Sequence, residues 1–463
     1  MHFHTGYEPM LFERVFSEGL AHMSYIIGDA GKAAVIDPRR DGDSYLEIAA
    51  RNGCTITHIF ETHRNEDYVI GSLALADRCG AKIFHGAAMG FAYGTAVHEG
   101  DAFTFGSLSL QVLETPGHTE ESISLVVRDQ KCGDTPWLVF CGDTIFAGDI
   151  ARTDFFGETR KEEMAEKIYD SITQKILSLG DGVILCPAHG AGSVCGGEIV
   201  DHPFTTSGYE KATNPLIRMG REEFVSLRKT ESPYLPPYFR TMEQYNRDGA
   251  PLVHPPVLRP VTVPELDQFR KNGCQALDIR APTAFAGGHI PGSISLWRGG
   301  ISSFAGWFLN YEDPIIIIDD FNQNPEQVTS QLFRMGYDNI TGILAGGTAA
   351  WFKSARDIGT IGACSVQELK GQLDNSTPFL LDVRDIRNRR AVGYIQNSHH
   401  IYVGELLLHL KEIPVDGPVF IYCDAGYKGS LAASILAQHH YRRVTNVLGG
   451  MTAWKQAGFR IDH

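Results

Sequence analysis

From Leu11 to Cys195 the chain alternates short apolar runs with turns and a few helical stretches. Runs rich in branched and aromatic residues predict strands at Val15 to Ser17, Met23 to Gly28, Ala33 to Asp37, Ile56 to Glu61, Lys82 to His85, Leu108 to Glu114, Ile123 to Val127, Leu138 to Cys141 and Gly182 to Cys186. Helical patterning predicts helices over Asp43 to Asn52 and Ser72 to Cys79. Strands outnumber helices, which points to two packed sheets flanked by helices rather than a doubly wound sheet. Polar residues gather where strands end: His63, Asn65 and Asp67 after Glu61, His118 after Glu114, Asp143 after Cys141, and His189 after Cys186. Four strand ends on one rim can bring ligands to a metal, because rigid elements hold ligands more accurately than free loops do.

Residues 219 to 260 carry Pro233, Pro236, Pro237, Pro251, Pro255, Pro256 and Pro260 among polar residues, the composition of a connector. Beyond it the chain repeats itself. Leu277-Asp278-Ile279-Arg280 returns 104 residues later as Leu381-Asp382-Val383-Arg384, and Gly346-Gly347-Thr348-Ala349-Ala350-Trp351 returns 103 residues later as Gly449-Gly450-Met451-Thr452-Ala453-Trp454. Each copy alternates strands with helices and is long enough to bury its own core. The expected organisation is a first domain over residues 1–235, a linker over 236–259, and two small α/β domains over 260–356 and 361–463.

A chain of 463 residues exceeds what one core supports, in keeping with several domains. Its net charge of -14, spread without a long run of one sign, argues against a nucleic-acid interface. No stretch offers about 18 near-continuous apolar residues, so no membrane partner is expected. The beginning, with His2, His4, Glu8 and Glu13, lacks the basic start and apolar run of a secretory signal. Nine scattered cysteines without a CxxC pair fit a reducing compartment, and the expectation is a cytoplasmic chain.

The stretch Thr62-His63-Arg64-Asn65-Glu66-Asp67-Tyr68 resembles the HxHxDH motif of the metallo-β-lactamase superfamily. Pro116-Gly117-His118-Thr119, Gly142-Asp143-Thr144 and Pro187-Ala188-His189-Gly190 follow in that superfamily's order. The resemblance implies an α/β chain whose αβ/βα sandwich precedes the repeated domains. Asn65 and Tyr68 stand where two motif histidines belong, which breaks a dinuclear site and leaves His63, His118 and Asp143. Two imidazoles and a carboxylate are the facial set that holds non-haem Fe(II) with about three positions open. Arg152-Thr153-Asp154-Phe155 is similar to a segment of the superfamily's persulfide dioxygenases. That narrower resemblance implies one Fe(II) per chain and oxidation of a low-molecular-weight thiol persulfide, such as glutathione persulfide, by dioxygen to sulfite and thiol. Asn65, Asp67, Tyr68, Arg152, Asp154 and His189 then read as groups that orient the ligands or line the substrate pocket.

In the last copy, Pro418 to Tyr422 predicts a strand that runs into Cys423-Asp424-Ala425-Gly426-Tyr427-Lys428-Gly429-Ser430 before a helix. This resembles the active loop of rhodanese domains. Backbone amides, helix polarity and Lys428 favour a thiolate at Cys423 and a persulfide formed on it. Sliding back by the repeat length puts Asp320 at the equivalent position, where a carboxylate cannot accept sulfur, so the first copy reads as a packing or docking domain. The resemblance thus implies a persulfide dioxygenase fused to rhodanese domains, acting on persulfide, dioxygen, and sulfite or thiosulfate, and forming a homo-oligomer. Two alternatives stay open: a glyoxalase-like zinc thioester hydrolase, and a non-catalytic persulfide-binding scaffold with sulfurtransferase activity only.

Overall fold

The computed structural model describes residues 10–321 and 324–463. The opening residues, with His2, His4 and Glu8 of the sequence reading, lie outside the described residues. The chain divides into two compact units, residues 1–254 with 334–336 and residues 255–333 with 337–463.

The first unit stacks two six-stranded sheets. One runs in chain order through Leu11–Ser17, His22–Asp29, Lys32–Ile36, Thr55–Glu61, Lys82–Gly86 and Thr95–Val97. The other is ordered Thr205–Thr206, Ile184–Pro187, Leu138–Gly142, Ile123–Asp129, Leu108–Glu114 and Ala102–Phe105. Met23, Tyr25, Ile27, Phe60, Leu110, Leu125 and Phe140 fill the space between them. Each fully buried side chain of this size contributes roughly 1.5–3 kcal/mol.

Both outer faces are covered as well, which is why His22–Asp29 and Leu138–Gly142 are buried along their whole length without alternation. Helices Asp43–Arg51 and Ser72–Cys79 bury Tyr45, Ile48 and Leu75 on the first sheet. Helices Lys161–Asp170 and Arg221–Thr230 bury Ala165, Ile168 and Phe224 on the second. This is the αβ/βα sandwich expected from the sequence.

The stretch read as a bare connector is more ordered than its prolines suggest, because it carries the helices Arg221–Thr230 and Phe239–Asp248. The second buries Phe239, Met242 and Asn246 on one face and is polar elsewhere, so its low apolar content, not a want of periodicity, makes it read as connector.

The second unit holds two five-stranded, all-parallel sheets with the same topology. The repeat extends to individual interactions. Thr262 with Glu265 and Ser365 with Glu368 form matching capping boxes. Arg280 pairs with Asp278 and donates to the Gly288 carbonyl, while Arg384 pairs with Asp382 and donates to the Gly393 carbonyl. The first copy packs on the second: the Ser295 amide donates to Ser434 Oγ at 3.0 Å, and Ser295 Oγ meets Ser430 Oγ at 2.8 Å, both on the helix Tyr427–Gln438 that follows Cys423.

Candidate metal centre

The first sheet ends at Glu61 and delivers Thr62 and His63 to the rim. Asp37, at the end of the neighbouring strand, turns there with φ 49° and accepts from the Thr62 amide and hydroxyl, each at 2.7 Å. Since the Thr62 hydroxyl spends its proton on Asp37, its oxygen accepts from His63 Nδ1–H at 2.9 Å. His63 Nε2 is thereby left with a bare lone pair. Burial pushes the His63 pKa down to about 4, so the ring is neutral.

The ring of His118 is oriented in the same way, with Nδ1–H donating to the Arg152 carbonyl at 2.9 Å and Nε2 turned to Asp143, but here burial is outweighed by Glu66 and Asp143, which push its pKa up. Arg152 therefore reaches the centre through its backbone. Its guanidinium is engaged by both oxygens of Asp154, each at 2.7 Å.

Asp143 follows Gly142, whose φ is 52° and whose missing Cβ would lie 2.5 Å from Thr62 Oγ1. Only glycine lets the chain pass here and bring the carboxylate to the imidazoles. Asp143 Oδ2 lies 3.7 Å from His63 Nε2 and 3.6 Å from His118 Nε2. Two ligands bonded at about 2.1 Å stand roughly 3.0 Å apart at 90° and roughly 3.4 Å apart at the tetrahedral angle, so a small contraction brings all three onto one ion. Neither bare nitrogen has a hydrogen-bond partner, and both rings are buried. Unsatisfied buried nitrogens facing a carboxylate are accounted for when a cation joins them, so this donor set fits a divalent metal.

His189 holds the carboxylate from behind, with Nδ1 at 2.8 and 2.9 Å from the two Asp143 oxygens and Nε2 at 3.1 Å from Asp67. Burial alone would pull His189 down, but Asp143 and Asp67 outweigh it and push its pKa well up. Asp67, His189 and Cys195 form a second cluster whose potential ligand atoms all lie within 4.8 Å of one another, as do those of His63, His118 and Asp143. The expectation of a single Fe(II) becomes a coarser statement, that the described residues offer two candidate metal-binding clusters.

The two departures from the motif occupy the same chamber. Asn65 turns its Nδ2 back to the His63 carbonyl at 3.2 Å. Tyr68 is fully buried, packs its ring at a 35° tilt with its centroid 4.0 Å from that of His22, and leaves its hydroxyl without a partner. Four contributors were missed in the sequence. Asp37 gave only the signal of an acid ending a strand, and Asn246 lay in the supposed connector. Glu66, fully buried, sits between two residues that were recognised, and Cys195 gave no signal beyond its place among the scattered cysteines. Asn246 Nδ2 donates to the Asn65 and Tyr68 carbonyls at 2.7 and 2.8 Å, and its Oδ1 accepts from the Ile70 amide at 2.9 Å.

In the second unit Cys423 is 1% exposed and its sulfur accepts from the Gly426 amide at 3.1 Å. Gly426 caps the helix Tyr427–Gln438 with φ 99°, a conformation that aims its N–H at the sulfur. Lys428 Nζ pairs with Asp424 at 2.7 Å. In the silent copy Asp320 accepts from the Thr348 amide at 2.9 Å and from Arg280 at 3.1 Å.

Residues 18–189 match the metallo-beta-lactamase superfamily, and residues 262–354 and 365–457 each match the rhodanese-like domain. A crystal structure of a metallo-beta-lactamase from Staphylococcus aureus subsp. aureus COL is 32% identical, covers 72% of this chain and 98% of its own, and superposes with a TM-score of 0.65. The chain belongs to the metallo-beta-lactamase superfamily. Two rhodanese-like domains follow its metallo-beta-lactamase fold, in the architecture expected from the sequence. The mitochondrial persulfide dioxygenase of Bos taurus is 27% identical over 235 residues, 48% of this chain and 83% of that protein. A hydroxyacylglutathione hydrolase of Rhizobium johnstonii is 38% identical over 122 residues, 26% of this chain and 45% of that protein. The expectation of a cytoplasmic chain is overturned, since the named persulfide dioxygenase relatives are mitochondrial proteins. Among the described residues, no helix is long and apolar enough to cross a membrane.

Proposed function

We propose that this chain is a persulfide dioxygenase with a sulfurtransferase domain: one Fe(II) held by His63, His118 and Asp143 serves oxidation of a small thiol persulfide to sulfite and thiol. The observation that carries this reading is the pair of bare, buried nitrogens, His63 Nε2 and His118 Nε2, both facing Asp143 Oδ2. Similarity to persulfide dioxygenases over 83% of the bovine protein supports it. Bound iron supplies the one-electron chemistry that lets dioxygen react with a closed-shell persulfide.

The protein residues bind, orient and exclude. Thr62 with Asp37, and the Arg152 carbonyl, fix the two imidazole tautomers, while His189 and Asp67 hold Asp143 in one orientation. The Tyr68 hydroxyl is the free donor that meets the anionic sulfur or dioxygen. Asn65 replaces a nitrogen ligand and keeps the site mononuclear, and the Arg152–Asp154 pair braces the segment that carries the His118 acceptor. In the last domain Cys423 takes the sulfane sulfur, with the Gly426 amide and the positive Lys428 stabilising the charge of its persulfide.

Oxygen uptake by the iron-loaded full chain with glutathione persulfide tests the reading, with sulfite as product and with both lost in His118→Ala and Asp143→Ala. The 38% identity to a hydroxyacylglutathione hydrolase favours thioester hydrolysis as the second reading. Zinc-dependent thioester cleavage without oxygen uptake would replace the first with the second.

A further inference from the structure

At one edge of the sandwich the strands Leu11–Ser17 and His22–Asp29 of the first sheet and Ile184–Pro187 of the second leave a cavity of about 320 Å³, whose wall includes the irregular segment 199–204. Phe12, Met23, Tyr25, Ile184, Cys186 and Phe204 make its lining apolar. Phe12, Val200 and Phe204 are exposed at 37%, 42% and 70%, so its rim is apolar too. None of His63, His118 and Asp143 lines it, although His189 stands in its wall. A dry cavity of about 150 Å³ takes a benzene ring, so this one has room for a body of about ten carbons. Close-packed interiors avoid voids, because lining atoms lose contacts on the open side, and an apolar space of this size therefore favours an occupant.

The polar end of that occupant follows from Arg14. No aspartate or glutamate lines the cavity, and Arg14 is its one Lys or Arg, in a chain of net charge -14. Arg14 Nη1 donates to the Pro203 carbonyl and lies 3.6 Å from the Met23 sulfur, which orients the guanidinium. Nε and Nη2 have no partner among the described residues, and the adjacent Glu13 is engaged by Arg51 at 2.6 Å. Nε and Nη2 are the edge with which Arg152 grips both oxygens of Asp154, so Arg14 presents the same two-pronged donor to a carboxylate from outside the chain. Its charge also reaches inward: burial pushes the Cys186 thiol up to about 12, and Arg14 opposes that rise.

We infer that this cavity binds a free aliphatic monocarboxylate of about eight to ten carbons, with its chain between the edge strands and its carboxylate on the Nε–Nη2 edge of Arg14. The site is separate from the chemistry proposed at the metal and stands or falls independently of it.

Isothermal titration of the full chain with sodium decanoate, below its micellar concentration, tests the inference, and one molecule per chain is expected. Octanoate should bind about tenfold more weakly, since each buried methylene contributes about fourfold in affinity. Arg14→Gln should weaken decanoate about tenfold or more while leaving 1-octanol, which lacks the charge, at the parental affinity. Val200→Trp, at a half-exposed rim position, should block both ligands by bulk. Absence of decanoate binding in the parent overturns the inference, and so does binding that neither variant weakens. Should Arg14→Gln fail to fold, Arg14→Lys takes its place: it keeps the charge without the paired donors, and parental affinity for decanoate in that variant refutes the assigned carboxylate contact. Co-sedimentation with phosphatidylcholine vesicles that decanoate does not compete away would assign the apolar rim to a lipid surface and overturn the inference as well.

Discussion

Replacing Asn246 with alanine should loosen the metal loop from outside it. Asn246 is 1% exposed and serves three backbone groups of the loop: the Asn65 and Tyr68 carbonyls and the Ile70 amide. Each bond contributes about 1 kcal/mol net, and each buried group left without a partner costs about 1–3 kcal/mol, so truncation should cost about 3–5 kcal/mol after local relaxation. At about 2–4 °C per kcal/mol for a domain of this size, the first unit should melt roughly 10 °C lower. Calorimetry of the full chain measures this, with the transition of the first unit identified by its rise on adding Co(II). Asn246→Asp sharpens the test: it keeps an acceptor for the Ile70 amide but sets a carboxylate against two carbonyls, and should melt no higher than the alanine variant. Metal affinity should fall in both, while sulfur loading of Cys423 stays at the parental level. A melting temperature within about 2 °C of the parent in Asn246→Ala, with unchanged metal affinity, would refute the claim that this helix positions the loop.

Exposure of the full chain to thiosulfate or glutathione persulfide should add one sulfur to Cys423, seen by mass spectrometry; labelling elsewhere with Cys423 untouched excludes it as the acceptor. Gly142→Ala places a Cβ 2.5 Å from Thr62 Oγ1 at φ 52°, and should destabilise by about 1–3 kcal/mol and weaken Co(II) binding, whereas an unperturbed metal affinity contradicts the proposed close approach. Asp29 accepts from the Ser107 amide and hydroxyl at 2.8 Å each, with Lys131 at 3.2 Å, and these partners hold its pKa at about 2 against an ordinary 3.8. A depressed folded pKa gives stability that is complete above about pH 4 and lost as pH falls toward 2, so the stability gap between parent and Asp29→Asn should close across that window; a gap that persists to pH 2 contradicts it.

The sandwich was legible because its central strands are buried on both faces and are therefore rich in apolar residues, as from Leu138 to Cys141. His63, His118, Asp143 and His189 were legible because each follows a strand, a continuous apolar one before Asp143 and an alternating one before His118. What escaped did so for other reasons. Asp37 acts through a turn at φ 49° that leaves no mark on hydrophobic patterning. Asn246 stands on a helix with a narrow apolar face and polar residues elsewhere, flanked by prolines, so composition hides the helix that makes it functional. Glu66 was in plain view, but that its buried carboxylate stands 3.5 Å from His118 Nε2 is a property of three-dimensional placement alone.

The duplicated domains show how one substitution changes a loop from receptive to self-occupied. In the live copy the Met451 amide donates to the Cys423 carbonyl at 2.8 Å, so the sulfur is left to the Gly426 amide, and Arg384 Nη1 finds only Asn388 at 3.5 Å. In the silent copy the equivalent amide, that of Thr348, donates instead to the Asp320 carboxylate, and Arg280 Nη1 donates to it as well. Asp320 thus brings its own negative charge to an amide that in the other copy serves the Cys423 carbonyl and to an arginine nitrogen that there meets Asn388. With the Thr348 hydroxyl as well, this internal anion has three donors; it stabilises the loop, with each charge-assisted bond contributing about 1.5–3 kcal/mol, and competes with any external anion at the same donors. The loss of the cysteine is therefore more than the loss of a nucleophile: with Asp320 in place, Arg280 and Thr348 are committed to holding the fold on which Ser295 meets the helix behind Cys423.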